Sequence, residues 1–161
     1  AVWNGEPSVN RVSSVVPANT ATGVLIAADV SASFSEPMDP TTIGAGTVEL
    51  RDPLNNLVAA SVSYVPGSYA ALLDPSANLT SNTIYTARVK SGASGVKDVA
   101  GNALATDYTW SFTTEAPDIT PPTVSSVMPI NGTTRLRPAT RATARFSEPM
   151  DAGTISVSTL E

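Results

Sequence analysis

Asp29-Val30-Ser31-Ala32-Ser33-Phe34-Ser35-Glu36-Pro37-Met38-Asp39 is the stretch on which the fold turns. Val30, Ala32 and Phe34 alternate with Asp29, Ser31 and Ser33. A strand presents successive side chains to opposite faces, so this run predicts a half-buried strand with its apolar face inward. Pro37 fixes φ and lacks an N–H, which stops the ladder, and Met38 is left to plug the end of the core.

The same words return 112 residues later. Phe34-Ser35-Glu36-Pro37-Met38-Asp39 becomes Phe146-Ser147-Glu148-Pro149-Met150-Asp151, preceded by Arg141-Ala142-Thr143-Ala144-Arg145 with the inward positions kept. Upstream, Val12-Ser13-Ser14-Val15-Val16-Pro17-Ala18-Asn19 matches Val124-Ser125-Ser126-Val127-Met128-Pro129-Ile130-Asn131 at the same offset. Thr42-Ile43 falls on Thr154-Ile155 and Glu49 on Glu161, without a gap and with about half of the positions identical. A period of this length is a whole small domain rather than a solenoid repeat. The expected organisation is a linker or tail of a preceding region over 1–6, with Trp3 in it, and a complete domain over 7–115. A proline-rich joint over 116–122 and the first strands of a second, incomplete domain over 123–161 follow. Glu115-Ala116-Pro117-Asp118-Ile119-Thr120-Pro121-Pro122 favours an extended, stiff connection.

Further strands are expected over Val9 to Val16, Thr47 to Arg51, Leu57 to Val65, Tyr69 to Leu73, Thr83 to Val89 and Tyr108 to Thr113. Turn sequences separate them: Asp52-Pro53-Leu54-Asn55-Asn56, Pro66-Gly67-Ser68 and Asp74-Pro75-Ser76. About seven short strands in one domain make an all-β chain with the pattern of an immunoglobulin-like antiparallel sandwich, although periodicity alone leaves a barrel open.

Composition narrows the chemistry. The 161 residues contain no His and no Cys, and the net charge is −5. Without imidazole or thiol there is no Ser-His-Asp or Cys-His nucleophile, no Cys/His zinc site and no disulfide framework. Oxygen ligands remain, which restricts a metal to calcium or magnesium. A sequence pI near 4.6 argues against a nucleic-acid partner, because phosphate neutralisation needs a basic patch. The longest apolar run, Val24 to Ala28, is too short to span a membrane. Thirteen prolines and ten glycines scattered along the chain leave no room for a long helix.

Four motifs in order carry a family resemblance: the Val-Ser-Ser-Val-x-Pro-x-Asn opening, Phe-Ser-Glu-Pro-Met-Asp, Gly95-Val96-Lys97-Asp98-Val99-Ala100-Gly101-Asn102-Ala103-Leu104, and a closing Trp110-Ser111-Phe112-Thr113-Thr114. Together they resemble the S-layer-type bacterial immunoglobulin-like domain. The resemblance implies a sandwich of seven or eight strands used in strings by secreted or cell-surface bacterial proteins, where it spaces or presents other domains. It implies no catalysis. Its implied partners are neighbouring domains of the same chain, with surface polysaccharide or another copy of itself as further options.

The residues offer few sites. Glu36 and Asp39, joined by Asp98 from a later loop, are candidate oxygen ligands for calcium, against the plainer reading that Asp98 caps backbone N–H groups in a tight loop. No other cofactor is expected. A glycosidase pair needs two carboxyl groups facing across a cleft, and most acids here sit in turns such as Asp52-Pro53 and Asp74-Pro75. Tyr64, Tyr69 and Tyr85 are candidates for a sugar-stacking row, the alternative being core packing. Tyr108, Trp110 and Phe112 share one strand face and are expected in the core. Lys90, Lys97 and the arginines Arg135, Arg137, Arg141 and Arg145 read as solvated, and Asn78-Leu79-Thr80 and Asn131-Gly132-Thr133 as turns.

Overall fold

A computed structural model describes residues 10–156, 158 and 159. The expectations for Trp3, for the 1–6 linker, for a strand start at Val9 and for Glu161 lie outside the described residues. The chain divides into two compact units, Ala1–Pro117 and Asp118–Glu161.

The first unit is a two-sheet sandwich of β1 (Val12–Val16), β2 (Ala21–Val24), β3 (Val30–Phe34), β4 (Val48–Arg51), β5 (Ala60–Val65), β6 (Ala70–Pro75), β7 (Ile84–Val89) and β8 (Tyr108–Thr114). One sheet has the order β1-β3-β6-β5 and the other β2-β8-β7-β4. This is a sandwich rather than a closed barrel. All pairings are antiparallel except β2 with β8, which run parallel.

The alternation in β3 is realised as read. Val30, Ala32 and Phe34 are buried and face β6 residues Ala71 and Leu73 through the pairs Ala32↔Ala71 and Val30↔Leu73. From the opposite sheet come Val48 and Leu50 of β4, Ala87 and Val89 of β7, and Trp110 and Phe112 of β8, all buried. Removing a side chain such as Leu50 or Phe112 from water contributes about 1.5–3 kcal/mol each, which holds the two sheets face to face. Met38 is 1% exposed and closes one end of this core.

Two expectations are corrected. Strand β2 was not anticipated: Gly23 (φ 67°) interrupts any alternation, and the strand touches β8 at only Ala21↔Phe112 and Val24↔Thr114, with a register shift between them. Tyr108 was expected in the core but is 37% exposed. It sits at the start of β8, beyond the reach of the facing sheet, with its ring tilted against Trp110 at 5.9 Å.

The second unit repeats the local structure of the first. Strands β9 (Val124–Met128) and β10 (Thr143–Phe146) pair antiparallel as β1 and β3 do. Ser125 Oγ donates to Arg145 O at 2.9 Å, as Ser13 Oγ does to Ser33 O at 3.0 Å. Asp151 caps a short 3-10 turn through Gly153 N, as Asp39 does through Thr41 N. Burial does not repeat. Ile155 is 39% exposed where Ile43 is 8% exposed, because in the first unit strands of both sheets close over the core. Arg141 and Arg145 are exposed, as read from the sequence.

Candidate functional site

One end of the first sandwich gathers the two longest motifs. Asp39 N donates to Lys97 O at 2.8 Å, Val99 N to Pro37 O at 3.3 Å, and Met38 bridges Asp98 in antiparallel fashion. Segments about sixty residues apart thereby share one pole. Asn10 joins them, 4% exposed, its Nδ2 donating to Asn102 O at 3.5 Å. Tyr64 reaches in from β5, its hydroxyl accepting from Met38 N at 2.9 Å.

The candidate carboxylates at this pole serve their own loops. Asp39 Oδ1 accepts from Thr41 N at 2.9 Å and from Thr41 Oγ1 at 2.7 Å, capping the 3-10 turn Pro40–Thr42. Those Thr41 bonds hold its carboxyl below the usual carboxylate range. Asp98, 2% exposed, accepts from Ala100 N and Asn102 N on Oδ1 and from Asn102 Nδ2 on Oδ2, each at 2.8 Å. Burial pushes the Asp98 carboxyl up, but the bonds from Asn102, Ala100 and Gly101 outweigh it, so its pKa is lowered. Glu36 is half-buried. Among the described residues no group of three or more Asp, Glu, His or Cys is placed to hold a metal ion. A cation here would compete with donors that already occupy the two aspartates.

The three tyrosines do not form a row. Tyr85 is 4% exposed, stacks on Phe112 at 6.1 Å and accepts from Thr80 N at 2.9 Å through its hydroxyl. Its strand parity turns it inward, so it has no open face for a sugar. Tyr64 lies half-buried in the other sheet and is tied to Met38. Tyr69 alone is exposed, at 40%, held at φ 51° where the 3-10 turn Pro66–Ser68 ends.

A charged outer face on β4 and β7 was missed in the sequence. Glu49 is 5% exposed beneath Arg51 and Lys90: Arg51 Nε and Nη2 donate to its Oε2, and Lys90 Nζ contacts its Oε1. Burial raises the Glu49 carboxyl, and the Lys90 and Arg51 contacts bring it net below its ordinary value. Lys90 also donates to Gly46 O at 2.9 Å, so it is paired rather than solvated. Beside it, Asp107 accepts from Ser91 N at 2.7 Å, from Ser91 Oγ and from Arg88, which hold its carboxyl down to about 2. Arg88, Arg51, Asn55, Thr86 and Thr109 with Asp107 line an open polar hollow. Glu49 lies between the core residues Val48 and Leu50 in β4, and its cover comes from Arg51 and from Lys90, the latter forty-one residues away, which periodicity does not encode.

Two packed sheets, Greek-key-like crossings between them and a parallel contact of the second strand, β2, with the last strand of the unit, β8, define an all-β immunoglobulin-like sandwich. The chain belongs to the bacterial Ig-like domain family, whose model matches residues 7–114 and again 118–160. It is 33% identical over 135 residues to an S-layer protein of Geobacillus stearothermophilus; the match takes in 80% of this chain and 11% of that protein's length. Among solved structures, the S-layer protein SbsC aligns with TM-score 0.50 and 21% identity over 73% of this chain and 15% of its own. CopC from Methylosinus trichosporium OB3b aligns with TM-score 0.53 and 13% identity over 69% of this chain and 98% of its own. At these identities the structural likeness speaks to the sandwich alone.

Proposed function

We propose that the chain is a non-catalytic spacer segment of a bacterial cell-surface or secreted protein, in which Ig-like sandwiches in series carry tension and hold other domains at a distance. The observation that carries this reading is the parallel pairing of β2 with β8. Pulling a chain by its two ends drives parallel neighbours in opposite directions along their length, so their hydrogen bonds load together in shear rather than one at a time. The contact extends beyond the strands: Asn19 Oδ1 accepts from Ser111 N at 3.1 Å, Thr20 N donates to Ser111 O at 2.7 Å, Glu115 N to Val24 O at 2.7 Å, and Ile26 N to Glu115 Oε1 at 3.3 Å. Similarity to an S-layer protein and a second copy of the same family in one chain support a surface array. Capped aspartates at the pole, with Tyr85 turned inward and Tyr64 tied to Met38 so that Tyr69 stands alone at the surface, leave little of the machinery that a hydrolase or a sugar platform needs.

Single-molecule pulling tests it. The chain is stretched first between its termini and then between Ser68, at the exposed β5–β6 tip, and the C-terminus. The expected result is a clearly higher rupture force along the first axis. Equal forces along both axes would remove the mechanical argument.

A further inference from the structure

Positive charge is gathered in one place on the first unit. That unit holds five lysines and arginines, Arg11, Arg51, Arg88, Lys90 and Lys97. Three of them, Arg51 on β4, Arg88 on β7 and Lys90 just beyond it, stand on the outer face of one sheet. The acids of that face are Glu49 and Asp107. Glu49 is 5% exposed beneath Arg51 and Lys90. Asp107 has both oxygens filled, Oδ2 by Arg88 and Oδ1 by Ser91 N and Oγ. Three cations against two spent carboxylates leave one positive charge in excess at the surface.

Strand register builds a hollow there. Cross-strand pairs Arg51↔Thr86 and Arg88↔Thr109 set four side chains in a block on three adjacent strands. The two arginines lie on a diagonal of that block, about 7–8 Å apart. With Asn55 and Asp107 these four line an open hollow of about 440 Å³ that has no apolar or aromatic side chain in its wall. Its walls are fixed in advance. Arg51 Nε and Nη2 donate to Glu49 Oε2 at 3.2 and 2.9 Å, and Nη1 donates to Asn55 O at 2.9 Å. Asn55 sits at φ 65° in a turn that Asp52 staples through Leu54 N and Asn56 N. Arg88 is clamped by Asp107 through Nε and Nη2. Among the described residues, Arg88 Nη1, the Thr86 and Thr109 hydroxyls and the Asn55 carboxamide have no hydrogen-bond partner.

We propose that this hollow binds a sugar acid, a carboxylate carried on a hydroxylated ring. The planar edge of Arg88 receives the carboxylate, whose charge cancels the local excess. Thr86, Thr109 and Asn55 can each donate and accept, as ring hydroxyls require. A neutral sugar leaves the excess charge unmet, and a bare carboxylate leaves the hydroxyls and the carboxamide unmet. Nothing in the wall stacks on a ring, so charge and hydrogen bonds hold the ligand and the affinity is about millimolar. Because the side chains that contact it are already held, little ordering is lost on binding.

Glucuronate titrated into the isotope-labelled full chain tests this, with glucose and acetate as comparisons and backbone amide shifts as the readout. Saturable shifts are expected at Arg51, Asn55, Thr86, Arg88 and Thr109, weaker in added salt and several-fold tighter for glucuronate than for either comparison. Arg88→Lys keeps the charge but loses the fork and is expected to bind about tenfold more weakly. Thr109→Val, at an exposed strand position that suits a β-branched residue, is expected to bind about threefold more weakly with an unchanged Tm. If Arg88→Lys disturbs the fold, Thr109→Val still decides. No saturable shift at these amides, or unchanged affinity in Thr109→Val, would overturn the site. Glucose binding as tightly as glucuronate would overturn the carboxylate contact, and acetate binding as tightly would overturn the hydroxyl contacts.

Discussion

Replacing Asp98 by alanine tests what the pole is for. The carboxylate takes three hydrogen bonds inside its own loop, from Ala100 N, Asn102 N and Asn102 Nδ2, while Asp98 N donates to Asn102 O at 2.9 Å. Bonds to a charged acceptor contribute about 1.5–3 kcal/mol each, but Ala100 and Asn102 are exposed and their donors recover water once the acceptor is gone. About 1 kcal/mol per bond is then the reasonable figure, and Asp98→Ala is expected to cost about 3 kcal/mol. For a domain of this size that lowers Tm by roughly 10 °C. Asp98→Asn keeps one oxygen for the two backbone donors, and the Asn102 amide can turn to meet it, so the loss there is about 1 kcal/mol. Urea unfolding followed by the fluorescence of buried Trp110 reads both variants, alone and with calcium or chelator. A loop staple requires the large alanine effect, the small asparagine effect and indifference to calcium. Equal losses in both variants, together with a wild-type Tm that falls with chelator, would refute the staple and install the carboxylate as a cation ligand.

Three further outcomes follow from the packing. Gly95→Ala is expected to destabilise by about 3 kcal/mol, because a Cβ there would stand 2.4 Å from the backbone oxygens of Lys90 and Ser91; a thermal melt within a degree or two of wild type would contradict it. Tyr64→Phe removes the acceptor of Met38 N and is expected to cost about 1 kcal/mol without changing the fold, read by the same urea curves. Acid should weaken the first unit. Asp39, Asp52, Asp98 and Asp107 all have folded pKa values below the ordinary value of 3.8, so their contribution is full above that value and is lost as pH falls through the lower folded values, toward about 2 for Asp107. A midpoint that stays flat from neutral pH to well below 3.8 would show these bonds to be stability-neutral.

The strands that could be read from the sequence are those whose signal is local. β3 and β8 alternate cleanly, and the burial of Phe34, Trp110 and Phe112 follows from parity. β2 was illegible because a positive-φ glycine breaks it and because its partner lies about ninety residues away. Tyr85 had the right residue type for a stacking surface, but only knowledge of which sheet faces inward at Ile84–Val89 assigns it to Phe112. The pole was half legible. Both motifs stood out, and the capping reading of Asp98 needed only the spacing to Asn102; that Met38 and Asp98 are neighbours is a property of topology. Glu49 shows the limit of alternation most plainly, since a position on the solvent face is buried by the side chains of Arg51 and Lys90 rather than by the core.

Chain direction through the first sandwich has a consequence for reach. β1 begins beside Phe34, at the end plugged by Met38, and β8 finishes beside Thr83 and Val24, at the other end. The polypeptide therefore goes in at one end and comes out at the far one. The seven residues of β8 alone advance it by about 23 Å. A domain whose two ends lay side by side would give a string that doubles back at every unit and gains breadth instead of height. In the first unit entry and exit stand at opposite ends, so crossing it carries the polypeptide the full length of the sandwich instead of returning it to where it started.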